Sequence, residues 1–225
     1  MEKQPWLQGG PFLEVSFLME LNKEDKLVVQ DIVSKLSELK IKVEIADQDI
    51  REIIDSFVTG YPWDENDPNS VYLHTLTLRT IVYLQRQRKS LLEIEKISSN
   101  AIMVNFYFYG CNNDLPEWGQ IGIRKEEMPD FTNFLVDLYS AYEFKVGGIA
   151  VEENVIGLFK CHEVYPNECY RFENLIPDSF LLGRTYFLEL IWNEKYKKIS
   201  SKLLHYRRLA KDGILVKLEN NFESF

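Results

Sequence analysis

The chain has 225 residues, with 35 Asp and Glu against 26 Lys and Arg, for a formal charge of -9. Hydrophobic residues make up 45% of it, including 14 Phe and 12 Tyr, which excludes a disordered chain and supplies a core for one large domain or two small ones. The acidic balance disfavours nonspecific DNA binding and favours encounter with a basic partner, although solubility alone accounts for the same charge.

The opening MEKQPWLQGGPF contains no apolar signal core. No stretch approaches the roughly 20 uninterrupted apolar residues of a membrane-spanning helix. The expectation is a cytosolic protein without membrane contact. Cys111, Cys161 and Cys169 form an odd set, which argues against a disulfide framework and leaves room for one pair.

Residues 12–21, FLEVSFLMEL, read as a strand whose imperfect alternation allows burial on both faces. Asn22 offers a helix cap, with Asp25 in the first turn. Val29, Ile32, Val33, Leu36 and Leu39 then recur at helical spacing. KIKVEIA alternates through Ile41, Val43 and Ile45 as a second strand, and a short helix is predicted from Asp47 toward Phe57. TGYPWDENDPNS, residues 59–70, is the clearest loop, because its prolines and short polar residues break both regular periods. Val71, Leu73, Thr75 and Thr77 alternate as a strand, and another is predicted over residues 80–84. QRQRKSLLEIEKIS fits either a strand end and turn or a helix.

A second strand-rich unit starts near Ala101 with IMVNFYFY. Residues 110–117 read as a turn or hairpin connection and residues 118–123 as a short strand. A helix follows from Pro129 or Asp130, with Phe131, Phe134, Leu135, Leu138 and Tyr142 on its apolar face. Residues 155–159 are predicted as the next strand, and the last lies over residues 213–218 after an Asp212–Gly213 turn. The pattern is α+β. It comprises two successive strand–helix–strand units, residues 1–95 and 96–225, on a mixed or antiparallel sheet, either separate or fused as one domain 1–225.

Catalytic motifs are sparse. Gly147 and Gly148 belong to neither a GxxxxGK[ST] nor a GxGxxG pattern, and permit a bend or a close strand contact instead. Cys161, His162 and Cys169 lack the CxxC pair and fourth ligand of structural zinc, so ordinary thiols, no metal and no cofactor are expected. Only His74, His162 and His205 could serve as an imidazole base, and there is no GxSxG elbow. Lys195, Lys197, Lys198, Lys202, Arg207, Arg208 and Lys211 form a basic run containing Tyr196 and Tyr206. On an acidic chain this reads as a solvated helix face before it reads as a nucleic-acid site.

The binding candidates are aromatic and acidic. Trp63 sits in the 59–70 loop beside Asp64, Glu65 and Asp67, an aromatic anchor ringed by carboxylates. Such a tryptophan can equally pack its loop onto its own domain. Glu126 and Glu127 precede the third helix, where they also favour its dipole. Glu152 and Glu153 lie beside a turn after the paired glycines. All these carboxylates could meet cationic residues of a partner.

Four segments, FLEVSFLMEL, WGQIGI, KVGGIAVEENVIGLF and LAKDGILVKL, together resemble the bacterial immunity proteins encoded beside polymorphic toxins, specifically the family numbered fifty-two. The resemblance implies a non-catalytic protein that binds a cognate toxin domain, in many cases a nuclease, and occludes its active site; the acidic charge of the chain points to a basic one. It carries over no individual binding residue. A small cytosolic enzyme with an acidic pocket and a non-inhibitory adaptor are the alternatives.

Overall fold

The computed structural model describes residues 5–7, 9–110, 122–161, 167–176, 187–199 and 205–218. Their order is β1 (Phe12–Glu20), α1 (Asp25–Lys35), β2 (Val43–Ile45), α2 (Ile50–Thr59), β3 (Tyr61–Pro62), β4 (Tyr72–Leu73), β5 (Thr75–Tyr83), β6 (Gln87–Ser98), β7 (Ala101–Tyr109), α3 (Met128–Tyr142), β8 (Val146–Val151), β9 (Phe187–Asn193), β10 (Tyr206–Arg208) and β11 (Gly213–Lys217). Nine strands form one antiparallel sheet in the order β10-β11-β9-β8-β1-β7-β6-β5-β2, and β3 and β4 form a separate hairpin. The fold is α+β. The sheet is continuous across residues 95 and 96, with β6 pairing β7 and with β1 lying between β7 and β8.

Successive residues of β1 point to opposite faces. Leu13, Val15 and Phe17 join a core that includes Phe131, Phe134 and Leu138 of α3, whereas Leu18 joins a second core on the other face. Both faces are buried, which is why the alternation in FLEVSFLMEL is imperfect. Val29 and Ile32 of α1, Ile54 and Phe57 of α2 and the predicted apolar stripe of α3 cover the first face. Tyr142 donates to the Ile32 carbonyl at 2.8 Å and ties α3 to α1.

Several boundaries differ from expectation. Glu24, not Asn22, precedes α1, because Leu21 still bonds the Asn100 carbonyl at 2.9 Å and the chain leaves the sheet too late for Asn22 to cap. Residues 75–83 make one long strand after the short β4. QRKSLLEIEKIS forms β6, with Leu92 and Ile94 in the core and Glu93 and Glu95 on the opposite face. Val155–Phe159 is a 3-10 helix in place of the expected strand, since Asn154 Oδ1 accepts from the Ile156 amide at 3.0 Å and Ser16 Oγ accepts from that of Val155 at 3.0 Å. The basic run is not a helix among the described residues. Arg207 and Arg208 lie on β10, and Lys211 sits in the turn before β11, bonded to Glu143 at 2.6 Å. Lys202, His162, Cys111 and the expected turn and strand over residues 111–121 lie outside the described residues.

The second core gathers Val146, Ala150, Phe187, Leu190, Trp192, Ile214 and Val216 beneath short 3-10 turns carrying Leu158, Tyr170 and Phe172. Gly147 and Gly148 serve close strand contact. A β-carbon on Gly148 would lie 2.5 Å from Phe187 Cδ1, and one on Gly147 would lie 2.6 Å from Phe144 Cε2. Cys161 and Cys169 form a disulfide, correcting the expectation of ordinary thiols. Disulfides persist mainly in oxidising compartments, so this bond departs from the reduced thiols expected of a cytosolic chain.

Two stability changes follow. Gly148→Ala overpacks the β8–β9 contact and is expected to cost about 1–3 kcal/mol. An unchanged urea midpoint would show that this face is loosely packed. Reducing the Cys161–Cys169 bond, which closes a separation of 8 residues, is expected to cost about 2 kcal/mol through the unfolded chain's entropy. Guanidinium midpoints with and without dithiothreitol measure it.

Candidate partner-binding surface

The Trp63 loop is the tip of the β3–β4 hairpin. Gly60 ends α2 at φ +68, and a β-carbon there would lie 2.7 Å from the Leu73 carbonyl oxygen, so a glycine makes the turn into β3. Tyr61 pairs Leu73, Pro62 pairs Tyr72, and the Trp63 amide bonds the Val71 carbonyl at 2.8 Å. The pleat therefore puts Tyr61, Trp63, Val71 and Leu73 on one face and Tyr72 on the other. At the base, His74 Nδ1 lies 2.9 Å from the Phe57 carbonyl oxygen, which anchors the hairpin to α2.

Trp63 is 62% exposed and Val71 52% exposed, so the tryptophan does not pack its loop onto the domain. The exposed large hydrophobics among the described residues are Leu27, Val58, Tyr61, Trp63, Val71, Tyr72, Tyr83, Ile176 and Tyr206. Five of these nine fall between residues 58 and 72. Scattered exposed apolar residues are ordinary, whereas a group on one face marks a contact surface, and here Tyr61, Trp63 and Val71 share one face while Tyr72 lies on the other.

The loop acids differ in role. Asp64 Oδ1 accepts from the Asn66 amide and Asp67 Oδ1 from the Asn69 amide, both at 2.8 Å, so these two shape the tip as Asx turns. Glu65 is exposed beside them and is the loop acid best placed to meet a cation.

The other predicted acids lie on separate elements. Glu127 is held by Arg88 at 2.6 Å and accepts from the Arg124 amide at 2.9 Å. Burial pushes its carboxyl up, but the guanidinium and the amide outweigh this and hold it below the ordinary carboxylate range. It therefore fastens the entrance of α3 to β6, while Glu126 beside it is exposed. Glu152 accepts a hydrogen bond from the Phe12 amide at the start of β1, and Glu153 accepts from the Asn154 amide at 3.2 Å.

Glu152 and Glu153 also belong to an acidic group that sequence reasoning missed. Glu14 is 6% exposed and accepts from Asn105 Nδ2 at 2.5 Å. Burial raises its pKa to about 7, and the charges of Glu152 and Glu153 add to the rise. Two strands away, Glu93 accepts from the Tyr107 hydroxyl at 2.9 Å. Burial raises the Glu93 carboxyl and raises Glu95 to about 7, the latter with help from Glu93. Tyr107 is pushed up by burial and then by Glu93. The signal in the sequence was the polar phase, Glu14–Ser16 and Glu93–Glu95, alternating with core residues.

No group of three or more His, Cys, Asp or Glu among the described residues is arranged to hold a metal ion. Cys161 and Cys169 are consumed in their disulfide. No described helix is long and apolar enough to cross a membrane. No family model, no curated protein and no solved structure matches this chain.

A carboxyl with a raised native pKa holds its proton more tightly in the folded state. Its contribution is fully present below the unfolded value near 4.5 and is lost as pH rises through about 7. Glu95→Gln removes that loss at its position. Between about pH 5 and about pH 7.5 the variant is expected to lose on the order of 2 kcal/mol less stability than the parent. Parallel pH profiles of the urea midpoints would mean that Glu95 titrates as it does in solvent.

Proposed function

We propose that the protein is a non-catalytic binding protein that neutralises a cognate basic toxin domain by covering its active site. The observation that carries this reading is the concentration of exposed hydrophobic side chains on the β3–β4 hairpin and the adjoining end of α2, beside the exposed Glu65. The net charge of -9 and the resemblance to toxin immunity proteins support it.

The division of labour follows from the chemistry. An acidic surface raises the encounter rate with a cationic partner and has less effect on how long the complex lasts. Residence depends on apolar area withdrawn from water. A tryptophan supplies roughly 150–250 Å² of it with few rotatable bonds to order. The hairpin backbone is fixed at its base by α2 and His74, so little chain entropy is lost on docking.

The test uses a catalytically inactivated basic domain from a candidate toxin gene neighbouring the one for this chain. Trp63→Ala is expected to weaken its binding by about 2 kcal/mol or more, roughly thirtyfold, chiefly through faster dissociation. Glu65→Gln is expected to slow association in low salt and leave dissociation nearly unchanged. Surface plasmon resonance separates the two rates, and circular dichroism checks the fold. Unchanged affinity of the folded Trp63→Ala protein would remove the hairpin from the interface. Failure of the parent protein to bind the domain would remove the toxin reading itself.

A further inference from the structure

The sheet face turned away from the helices carries a band of carboxyls that the hairpin surface does not use. The pleat puts Glu14 on this face of β1, Asn105 and Tyr107 on that of β7, and Glu93 and Glu95 on that of β6, each flanked in sequence by residues of the helix-side core. Glu14 opposes Tyr107, Asn105 opposes Glu93, and Glu95 opposes Thr75 of β5. Glu14 and Glu93 stand two strands apart, on the order of 10 Å, and Glu95 lies about 7 Å further along β6. Glu14 and Asn105 form a buried floor, while Glu93, Glu95 and Tyr107 keep part of their surface in solvent.

The band has acceptors and no cation. None of the ion pairs among the described residues includes Glu14, Glu93 or Glu95. Lys96 follows Glu95 in the chain, but it is in the other strand phase and pairs with Asp25 at 2.8 Å. Arg79 shares this face on β5, and Asp47 holds its guanidinium at 2.7 Å. The charges nearest Glu14 are those of Glu152 and Glu153, and the one nearest Glu95 is that of Glu93.

Hydrogen bonds inside the band leave two groups over. Asn105 is 0% exposed and donates through Nδ2 to Glu14 Oε2 at 2.5 Å. Its buried Oδ1 has no hydrogen-bond partner among the described residues, and neither has the buried Thr75 Oγ1 across from Glu95. Unpaired buried acceptors are unfavourable, and a donor brought in from outside relieves them. The carboxyls are not gathered as metal ligands, since no three of them converge among the described residues. Acceptors spread over on the order of 10 Å suit a cation whose N–H donors are strung along a flexible chain. Aliphatic polyamines have that form.

We propose that this face of β1, β7 and β6 binds an aliphatic polyamine, with one ammonium group at Glu93 and Glu95 and another at Glu14 and Asn105. The site uses no residue of the hairpin and does not depend on the toxin reading. Bound ammonium groups require ionised carboxyls, and burial raises Glu14 and Glu95 to about 7. Binding therefore releases protons near neutrality and tightens from about pH 6 to about pH 8.

Calorimetric titrations of the full chain with spermidine, butylamine and magnesium ion at matched ionic strength test it. Saturable spermidine binding, about tenfold or more tighter than either competitor, is expected. Its heat is expected to differ between buffers of unlike ionisation enthalpy, which reports the released protons. Glu93→Gln and Glu95→Gln are each expected to weaken binding about fivefold, while Glu52→Gln, an exposed acid on α2, leaves it unchanged. Where a band variant does not fold, the selectivity and proton release of the parent chain decide. The proposal is overturned by an absence of saturation, by magnesium or butylamine binding as tightly as spermidine, by binding without proton release, or by equal losses in the Glu52 and Glu93 variants.

Discussion

The insertion of β1 between β7 and β8 is the constraint on which the rest of this fold depends. Nine residues of β1 pair with β7 and six with β8, so the first strand holds together segments that follow it by nearly ninety and by more than one hundred and thirty positions. These pairings close long loops before they return any burial, which places them among the slower events of folding. They also fix Phe17 against Phe144 and Tyr142, with ring centroids at 4.8 and 5.2 Å, and so set where α3 lies on the sheet. A one-residue slip of β1 would turn Leu13, Val15 and Phe17 away from α3 and bring Glu14 and Ser16 into an apolar core. The register is therefore specified from both faces.

The face opposite the helices is divided. Its β8–β9–β11 half is dry and is covered by the short 3-10 turns tied by the disulfide. Its β1–β7–β6 half carries Glu14, Asn105, Tyr107, Glu93 and Glu95. Burying a carboxyl without a counter-cation is unfavourable, and this raises the pKa of Glu14 and Glu95 to about 7. The hydrogen bonds from Asn105 to Glu14 and from Tyr107 to Glu93 recover part of the lost solvation. The formal charge of -9 consequently overstates the field of this face when those carboxyls are protonated. The charge offered to a partner comes from exposed acids such as Glu65 and Glu126.

Periodicity made most elements legible. The helical spacing of Phe131, Phe134, Leu135, Leu138 and Tyr142 located α3, and IMVNFYFY located β7. What periodicity cannot carry is competition from distant groups. The 3-10 helix at Val155–Phe159 has an apolar sequence that suits a strand, and a hydroxyl from Ser16 decides otherwise. Glu127 looked like an available surface acid because its partner, Arg88, lies thirty-nine positions away. The exposure of Trp63 was open in the sequence, since a loop tryptophan packs inward as readily as outward. The short β3–β4 pairing, set by Gly60 and His74, turns it out. Arg207 and Arg208 looked like part of one helical run, whereas strand phase puts them on opposite faces of β10.

Interface size limits how much the hairpin can do alone. A stable complex withdraws about 800 Å² from each partner. Tyr61, Trp63 and Val71, at roughly 100–200 Å² each, reach only part of that area. The remainder must come from neighbours, and Val58 at the end of α2 extends the apolar surface next to the hairpin base. This confines a docked partner to the β2–β5 end of the sheet.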